Sequence, residues 1–369
     1  MESFSWIEII FIFCTLILLG YYLGFWRRLL IFKALDTSFS DFPFVSVVIC
    51  AKDEADNLLQ FIPEFLSQDY PDYEVILVDD SSSDDSSNIL RNFSNKYKHL
   101  RVFKFDEKRY SRGKKEVLEY GISQAKSDYL VLTDADCRPN SDKWLKAMVN
   151  GFSDGSELVF GVGQYEKKDS KINQLIQLDT GFIALNYLSF ALAKYPYMSV
   201  GRNVAYTKKL FYKIGGFASH YDTPGGDDDL FVNELSKNTK FTIVISSEGQ
   251  TKSIPKENFK SFFLQKIRHV SSGINYNRRN KIILSIFYSF SVFWYLLLPI
   301  VLINQKQLLV LSTLVVLKKT TMYSLIRRIF IKIGVDVRPS MILLAEFYSV
   351  FIHGFAIIVT IFKSKKGKW

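Results

Sequence analysis

Cysteine is scarce: the 369 residues contain three, Cys14, Cys50 and Cys137. An odd count with one member inside an apolar run gives no paired framework. A disulfide scaffold is excluded, and the soluble part is expected in a reducing compartment. A basic leader and a small-residue cleavage site are also missing. The opening residues carry Glu2 and Glu8 instead, so the first apolar run reads as an uncleaved anchor rather than a secretory signal. A dinucleotide-binding glycine fingerprint is lacking too, because GVGQY (161–165) has no third glycine and follows a strand in mid-domain.

What is abundant is apolar and basic. Hydrophobic residues make up 48% of the chain, aromatic ones 15%, and the formal net charge is +10. The charge gathers beside apolar segments: Arg27 and Arg28, Arg278 and Arg279, Arg327 and Arg328, and the tail Lys363, Lys365, Lys366 and Lys368. That placement suits anionic headgroups better than a nucleic-acid groove, so membrane lipids are expected partners and nucleic acid is not. Residues 9–26 are uncharged and long enough to span a bilayer. Arg27-Arg28 places the downstream end in the cytoplasm. A second uncharged run covers 282–303, a short third (308–317) stops at Lys318-Lys319, and a fourth (341–362) contains Glu346 and His353. If 282–303, 308–326 and 341–362 all cross, the basic tail ends outside, against the positive-inside tendency. The alternative is that 308–335 lies partly in the interface as an amphipathic element. Glu346 and His353, seven residues apart on one helical face, either face a lipid-head cavity or are partly exposed at the interface.

Between about 42 and 270 the composition is that of a soluble domain. FVSVVICA (44–51), YEVILVDD (73–80), RVFKF (101–105) and DYLVLTDAD (128–136) read as strands. DEADNLLQFIPEFLSQ, SSSDDSSNILRNFSNKY and KKEVLEYGISQAK between them read as helices with their leading turns. Such alternation argues for parallel βαβ units in a doubly wound, mostly parallel α/β sheet flanked by transmembrane helices. Ligands of these sheets bind beyond the carboxyl ends of the strands. Ala51-Lys52-Asp53-Glu54, Asp79-Asp80 and Asp134-Ala135-Asp136 all fall there, giving three acidic strand ends on one rim.

Two carboxylates one residue apart at a strand end, Asp134 and Asp136, offer hard oxygen ligands. These suit Mg²⁺ or Mn²⁺ together with substrate phosphates. The plain alternative is that they end the strand and cap a helix starting near Ser141. Acidic partners on the same rim favour the metal reading. Further on, Asp227, Asp228 and Asp229 repel one another, which raises at least one pKa and suits a base. Asp229 is the natural cap of DLFVNELSK. Gln265 and Arg268 are three apart and share a helical face.

VSVVICAKDEADNL, VILVDDSSSDDS, TDAD, GGFASHYDTPGGDDDLF and QKIRH (265–269), in that order, resemble the motifs of family 2, inverting, nucleotide-sugar-dependent glycosyltransferases of GT-A fold, membrane-anchored and similar to processive polysaccharide synthases. The chain departs at Lys52-Asp53-Glu54, where the family has Tyr-Asn-Glu, at Gly226-Asp227, where it has Glu-Asp, and at His269, where it has Trp. The resemblance implies Asp227 as catalytic base with Asp228 as runner-up. It implies Ala51 (by its backbone), Glu54, Asp80, Lys114, Asp134, Gln265 and Arg268 on the donor side, and Asp134 with Asp136 on Mg²⁺ or Mn²⁺. Asp80 would meet the nucleobase or ribose and Arg268 the diphosphate. GRNVAY (201–206) resembles the acceptor-pocket segment.

The resulting expectation is a multi-pass protein of the cell membrane with a cytoplasmic catalytic domain. Its parts are an anchor (1–28), a GT-A-like domain (42–270) and C-terminal transmembrane or interfacial helices (280–369). It would move a sugar, UDP-linked by this reading, to a lipid-linked or polysaccharide acceptor in cell-envelope biosynthesis. Alternatives are a polyprenyl-phosphate monoglycosyltransferase and an inactive GT-A scaffold in a polysaccharide assembly complex.

Overall fold

The computed structural model describes residues 4–34, 38–105, 113–223, 225–303 and 307–364. Lys365, Lys366 and Lys368 of the basic tail, Arg112 of RGKK and Pro224 of the acidic segment lie outside the described residues. Two compact units form: Lys33–Glu166 with Tyr197–Pro255, and Met1–Phe32 with Lys167–Pro196 and Lys256–Trp369.

The first unit is α/β. Its strands are β1 (Val45–Ala51), β2 (Tyr73–Asp79), β3 (Leu100–Lys104), β4 (Tyr129–Asp134), β5 (Cys137–Pro139), β6 (Leu158–Phe160), β7 (Gly163–Tyr165), β8 (Val204–Thr207), β9 (Phe241–Ile243) and β10 (Thr251–Ser253). Among the described residues, seven make one sheet in the order β3-β2-β1-β4-β8-β6-β9, and β5-β10-β7 make a small second one. β1 pairs in parallel with β2 and β4, β2 with β3, while β8 runs antiparallel to β4 and β6. Helices Ala55–Leu66, Ser86–Lys96 and Lys114–Gln124 make the three crossovers. Strands covered on both faces need near-continuous apolar runs, which VSVVICA and YEVILVD supply.

Each face of the sheet is covered for an identifiable reason. Helix Ala55–Leu66 puts Leu58, Phe61, Ile62, Phe65 and Leu66 on one stripe, and this stripe packs in one cluster with Val47, Ile49, Trp144 and Met148. The Trp144 indole N–H donates to Asn203 Oδ1 at 3.0 Å, and the Asn203 amide donates to the Val162 and Gly249 carbonyls. The buried polar groups are thereby satisfied. On the other face, helix Lys114–Gln124 approaches β1 and β2 at Gly121. A Cβ there would stand 2.9 Å from Val48 Cγ1 and 3.0 Å from Val78 Cγ2, so only glycine lets the helix lie this close.

The second unit is helical. Helix Trp6–Tyr21 opens on a capping box: Ser5 Oγ accepts from the Glu8 N–H, and the Glu8 carboxylate accepts from the Ser5 N–H at 2.7 Å. It continues through a π-helical turn (Tyr22–Trp26) into Arg27–Ile31. Among the described residues, four helices are long and apolar enough to cross a membrane: Trp6–Ile31, Lys171–Leu192, Arg278–Ile303 and Leu308–Lys332. Helix Ala345–Ser364 carries a shorter apolar stretch.

Three sequence expectations change here. The apolar run expected to stop at Lys318-Lys319 continues as one 25-residue helix, Leu308–Lys332. Lys318 does not end it because its ammonium lies 2.6 Å from the Glu346 carboxylate, both side chains being 0% exposed, and stands 3.8 Å over the Trp294 ring. Glu346 therefore faces neither a lipid-head cavity nor the interface: it also accepts from the hydroxyls of Tyr22 (2.6 Å), Ser291 (3.1 Å) and Tyr295 (3.0 Å). His353 is likewise internal, 3.0 Å from the Asp179 carboxylate and 3.0 Å from the Tyr288 hydroxyl. Asp179 also pairs with Lys266. The buried helix Lys171–Leu192, within the stretch read as soluble, groups with this unit.

A buried ion pair is costly to break and cheap to replace whole. Lys318→Met alone is expected to destabilise the detergent-solubilised protein by about 3–5 kcal/mol. The double replacement Lys318→Met with Glu346→Leu should recover a large part of that loss. Thermal unfolding of the single and double variants measures the difference; equal midpoints for both would contradict it.

Candidate active site

Strand register gathers the acidic ends. Ala51 pairs with Asp79 and Cys50 with Asp134, so β1, β2 and β4 finish on one rim. β1 is the point where the strand order turns back, with β2 and β3 on one side and β4 on the other. At such a switch point the two neighbouring crossovers diverge and leave a crevice.

The adjacent aspartates of β2 are used differently. Asp79 is buried; its carboxylate accepts from the Ser82 N–H at 3.0 Å and from the Ser87 hydroxyl, closing the turn. Asp80 donates its N–H to the Ala51 carbonyl at 2.8 Å, and its carboxylate lies 3.5 Å from the Lys52 ammonium. The serine-rich stretch after it is knitted to the loop after β1. Ser82 Oγ accepts from the Asp53 N–H, Ser86 Oγ from the Glu54 N–H, and the Asp84 carboxylate from the Ala55 N–H. The Asp53 carboxylate accepts from the N–H and hydroxyl of Ser83. Asp53 (φ 54°) and Ser81 (φ 52°) are left-handed, and this web holds them there. Glu54 accepts from the Asn57 amide at 2.5 Å.

The distant acidic loop joins the rim through one cation. Lys114, at the start of its helix, places its ammonium 2.7 Å from Asp134 Oδ1 and 2.9 Å from Asp227 Oδ2. Before Asp227 the chain passes Gly225 (φ 72°) and Gly226 (φ 84°); a Cβ on Gly226 would meet Leu230 Cδ1 at 2.6 Å. Asp228 turns back into the scaffold, accepting from the N–H groups of Gly201 and Asp229, both at 2.8 Å. Asp229 accepts from the Leu230 N–H at 2.8 Å, so both residues serve the start of helix Asp229–Asn233. A narrow cleft, open to solvent, is lined by Cys50, Lys114, Asp134, Tyr206, Asp227 and Asp228 among others.

Electrostatics follow the geometry. Burial pushes the Cys50 thiol up to about 12, with Asp134, Asp227 and Asp80 adding to the rise and Lys114 opposing it; these four charged groups surround the end of β1. Burial also pushes Asp227 up, but the Lys114 ammonium and the N–H bonds to its carboxylate outweigh it and hold the carboxyl below its usual range. Burial, with Asp227 and Asp229 on either side, raises Asp228 to about 8. Asp136 is raised by burial and then by Asp134.

The residues present fit a hard divalent cation. Asp134, Asp136 and Cys137 bring ligand atoms within 4.8 Å of one another. Burial, then Asp136, holds the Cys137 thiol well above its usual range. It therefore stays protonated beside Asp136, 3.3 Å away, and the two carboxylates are the ligands of choice for Mg²⁺ or Mn²⁺. Their mutual repulsion is the charge such an ion would offset.

Of the residues singled out from sequence, Ala51, Glu54, Asp80, Lys114, Asp134, Asp136, Asp227 and Asp228 lie in the α/β unit on β1, β2, β4 or the loops that follow them, the helix start at Lys114 and the acidic loop. Gln265 and Arg268 sit on helix Phe259–Gly273 of the helical unit, Gln265 half-buried and Arg268 exposed. Two residues were not singled out. Arg202, within GRNVAY, stacks 4.4 Å over the Tyr165 ring and donates to the Gln164 carbonyl at 3.1 Å. Lys115 is 3% exposed, although a lysine in a first helical turn reads as solvated and no pattern marks it.

Residues 46–220 match the family model described as Glycosyl transferase family 2. The glycosyltransferase AglE of Haloferax volcanii is 32% identical over 197 residues, 51% of this chain and 60% of that protein. A poly-beta-1,6-N-acetyl-D-glucosamine synthase of Staphylococcus epidermidis is 32% identical over 92 residues, 25% of this chain and 21% of that one. The chain thus spans less than two thirds of the length of either relative. Among solved structures, the mannosyltransferase PcManGT of Pyrobaculum calidifontis, in complex with GDP-Man and Mn²⁺, shares the fold. Its TM-score is 0.58 at 18% identity, covering 89% of this chain and 99% of that one.

The two β2 aspartates should separate by experiment. Asp79→Ala removes an acceptor of two bonds and is expected to cost about 3 kcal/mol of stability, whereas Asp80→Ala should cost clearly less. Thermal unfolding of both variants reads this, and a larger loss for Asp80→Ala would reverse the assignment.

Proposed function

We propose a reaction for a chain that carries, over residues 46–220, a family 2 glycosyltransferase domain of GT-A fold: transfer of a sugar, with inversion, from a nucleoside-diphosphate sugar to a lipid-linked or polysaccharide acceptor at a membrane face. The observation that carries it is the Lys114 ammonium between Asp134 and Asp227, which draws the end of β4 and the acidic loop into one cleft. A carboxylate ready to take a proton and a carboxylate pair suited to a cation are what sugar transfer from a diphosphate requires.

In this reading Asp80 accepts from a nucleobase or ribose group of the donor, beside Ala51 and Glu54. Asp134 and Asp136 hold Mg²⁺ or Mn²⁺, which when bound supplies positive charge to the departing diphosphate. Asp227 takes the proton of the acceptor hydroxyl as that oxygen attacks the anomeric carbon from the face opposite the leaving group. Asp227 is preferred over Asp228 because Asp228 spends its oxygens on the Gly201 and Asp229 N–H groups. Lys114 exchanges its carboxylate partners for donor phosphate. Helices long enough to cross a membrane support an acceptor presented there. Placement in the cell membrane with the α/β unit in the cytoplasm belongs to the same proposal, on the strength of Arg27 and Arg28 at the end of the first such helix.

Asp227→Asn is expected to lower turnover by about 10²–10⁴ with donor affinity and circular dichroism unchanged. Wild-type turnover in that variant would remove Asp227 from the base role. Chelation with EDTA should abolish transfer and added Mn²⁺ should restore it. Activity indifferent to chelation would confine Asp134 and Asp136 to hydrogen bonding. Product length separates the two acceptor classes: a single added sugar identifies a monoglycosyltransferase, a ladder a polymer synthase.

A further inference from the structure

We propose that Lys115 is a positioning residue: its ammonium clamps the turn His220–Thr223 and thereby fixes where the following segment delivers Asp227. The inference deepens the reading of Asp227 as the base and rests on it.

Lys115 is almost wholly buried, and its Nζ donates to the carbonyl oxygens of His220 and, at 2.6 Å, of Thr223. Among the described residues, no carboxylate stands at ion-pair distance from it. Burying an ammonium is costly without compensating acceptors, and the two carbonyls provide them. Nor does its own helix call for it. A cation in the first turn opposes the helix dipole, and Lys114 and Lys115 both occupy that turn. The arrangement is explained by what the two side chains reach. Successive helical residues point about 100° apart, so Lys114 meets the carboxylates of Asp134 and Asp227 while Lys115 meets the backbone four residues upstream of Asp227.

The loop needs such an anchor. The Thr223 N–H closes a turn onto the His220 carbonyl at 3.1 Å, and Lys115 binds that same carbonyl. Beyond it the chain runs through Gly225 and Gly226, both left-handed, where backbone freedom is greatest. The next fixed point is the start of helix Asp229–Asn233. Asp227 therefore lies between two moorings, one of them the Lys115 ammonium. The mooring is rigid in turn, because the lysine's helix is seated on β1 and β2 at Gly121. Asp222, Asp227 and Asp229 favour a cation here, and burial alone draws the Lys115 pKa down.

The test uses the full detergent-solubilised chain with Mn²⁺, measuring hydrolysis across a panel of UDP- and GDP-sugars and amide hydrogen exchange over His220–Thr223. Lys115→Met should lower kcat 10–100-fold, leave donor KM within twofold, and speed Thr223 exchange at least tenfold. Lys115→Arg, which keeps donors, should recover much of kcat. Should Lys115→Met fail to fold, Lys115→Gln, which keeps two N–H donors on a shorter, uncharged side chain, takes its place. Unchanged kcat, unchanged exchange, or a donor KM that rises in step with the fall in kcat would each overturn the clamp. If Asp227→Asn turns over like the wild type, the base assignment falls separately, and exchange alone decides whether Lys115 holds the loop.

Discussion

Negative charge brought together from distant parts of a chain does not stay together without a cation. Asp134 ends a central strand and Asp227 lies in a glycine-rich loop 93 positions later, yet both contact one ammonium, that of Lys114. Their attraction to it offsets a repulsion that would otherwise open the cleft, more strongly in a half-buried site than in bulk water. The depressed pKa of Asp227 and the elevated one of Asp228 are two sides of this arrangement: Asp227 is held directly by the lysine, whereas for Asp228 burial and the flanking aspartates outweigh the Gly201 N–H and the Lys114 charge. Lys114 thus does the work of a counter-ion for a site designed around charge, and any ligand that enters must offer those carboxylates as good a partner.

Much of this architecture was legible in the letters because parallel strands announce themselves. VSVVICA, YEVILVD and YLVLTD are apolar runs ending in acidic or turn residues, and their register places those ends on one rim. What the letters hide is commitment. Asp79 and Asp80 look alike, but only Asp79 is consumed by the turn. Lys114 and Lys115 look alike, but one meets side chains and the other backbone. Such differences depend on which way neighbouring side chains point, which hydropathy and spacing do not record.

The helical unit taught the opposite lesson. There Lys318 made an apolar stretch look interrupted, although it is paired inside the protein with Glu346. A charge ends a membrane-length helix only if it lacks a partner at the same depth. Glu346 has a lysine, two tyrosines and a serine around it, and Asp179 has Lys266 and His353. The partners sit tens to hundreds of positions away, beyond the reach of any window along the chain.

The α/β unit is not one continuous piece of polypeptide. It is interrupted by Lys167–Pro196, which belongs with the helices, and resumes at Tyr197. β8, which zips β4 to β6, is made only after that interruption. During synthesis the open edge of β4 must wait, unpaired, while a long apolar helix emerges and finds its own surroundings. The two units are interleaved in chain order, and the strand that joins β4 to β6 is made only after a long apolar helix. A fragment cut to release the sheet would carry that helix with it, stranded in water.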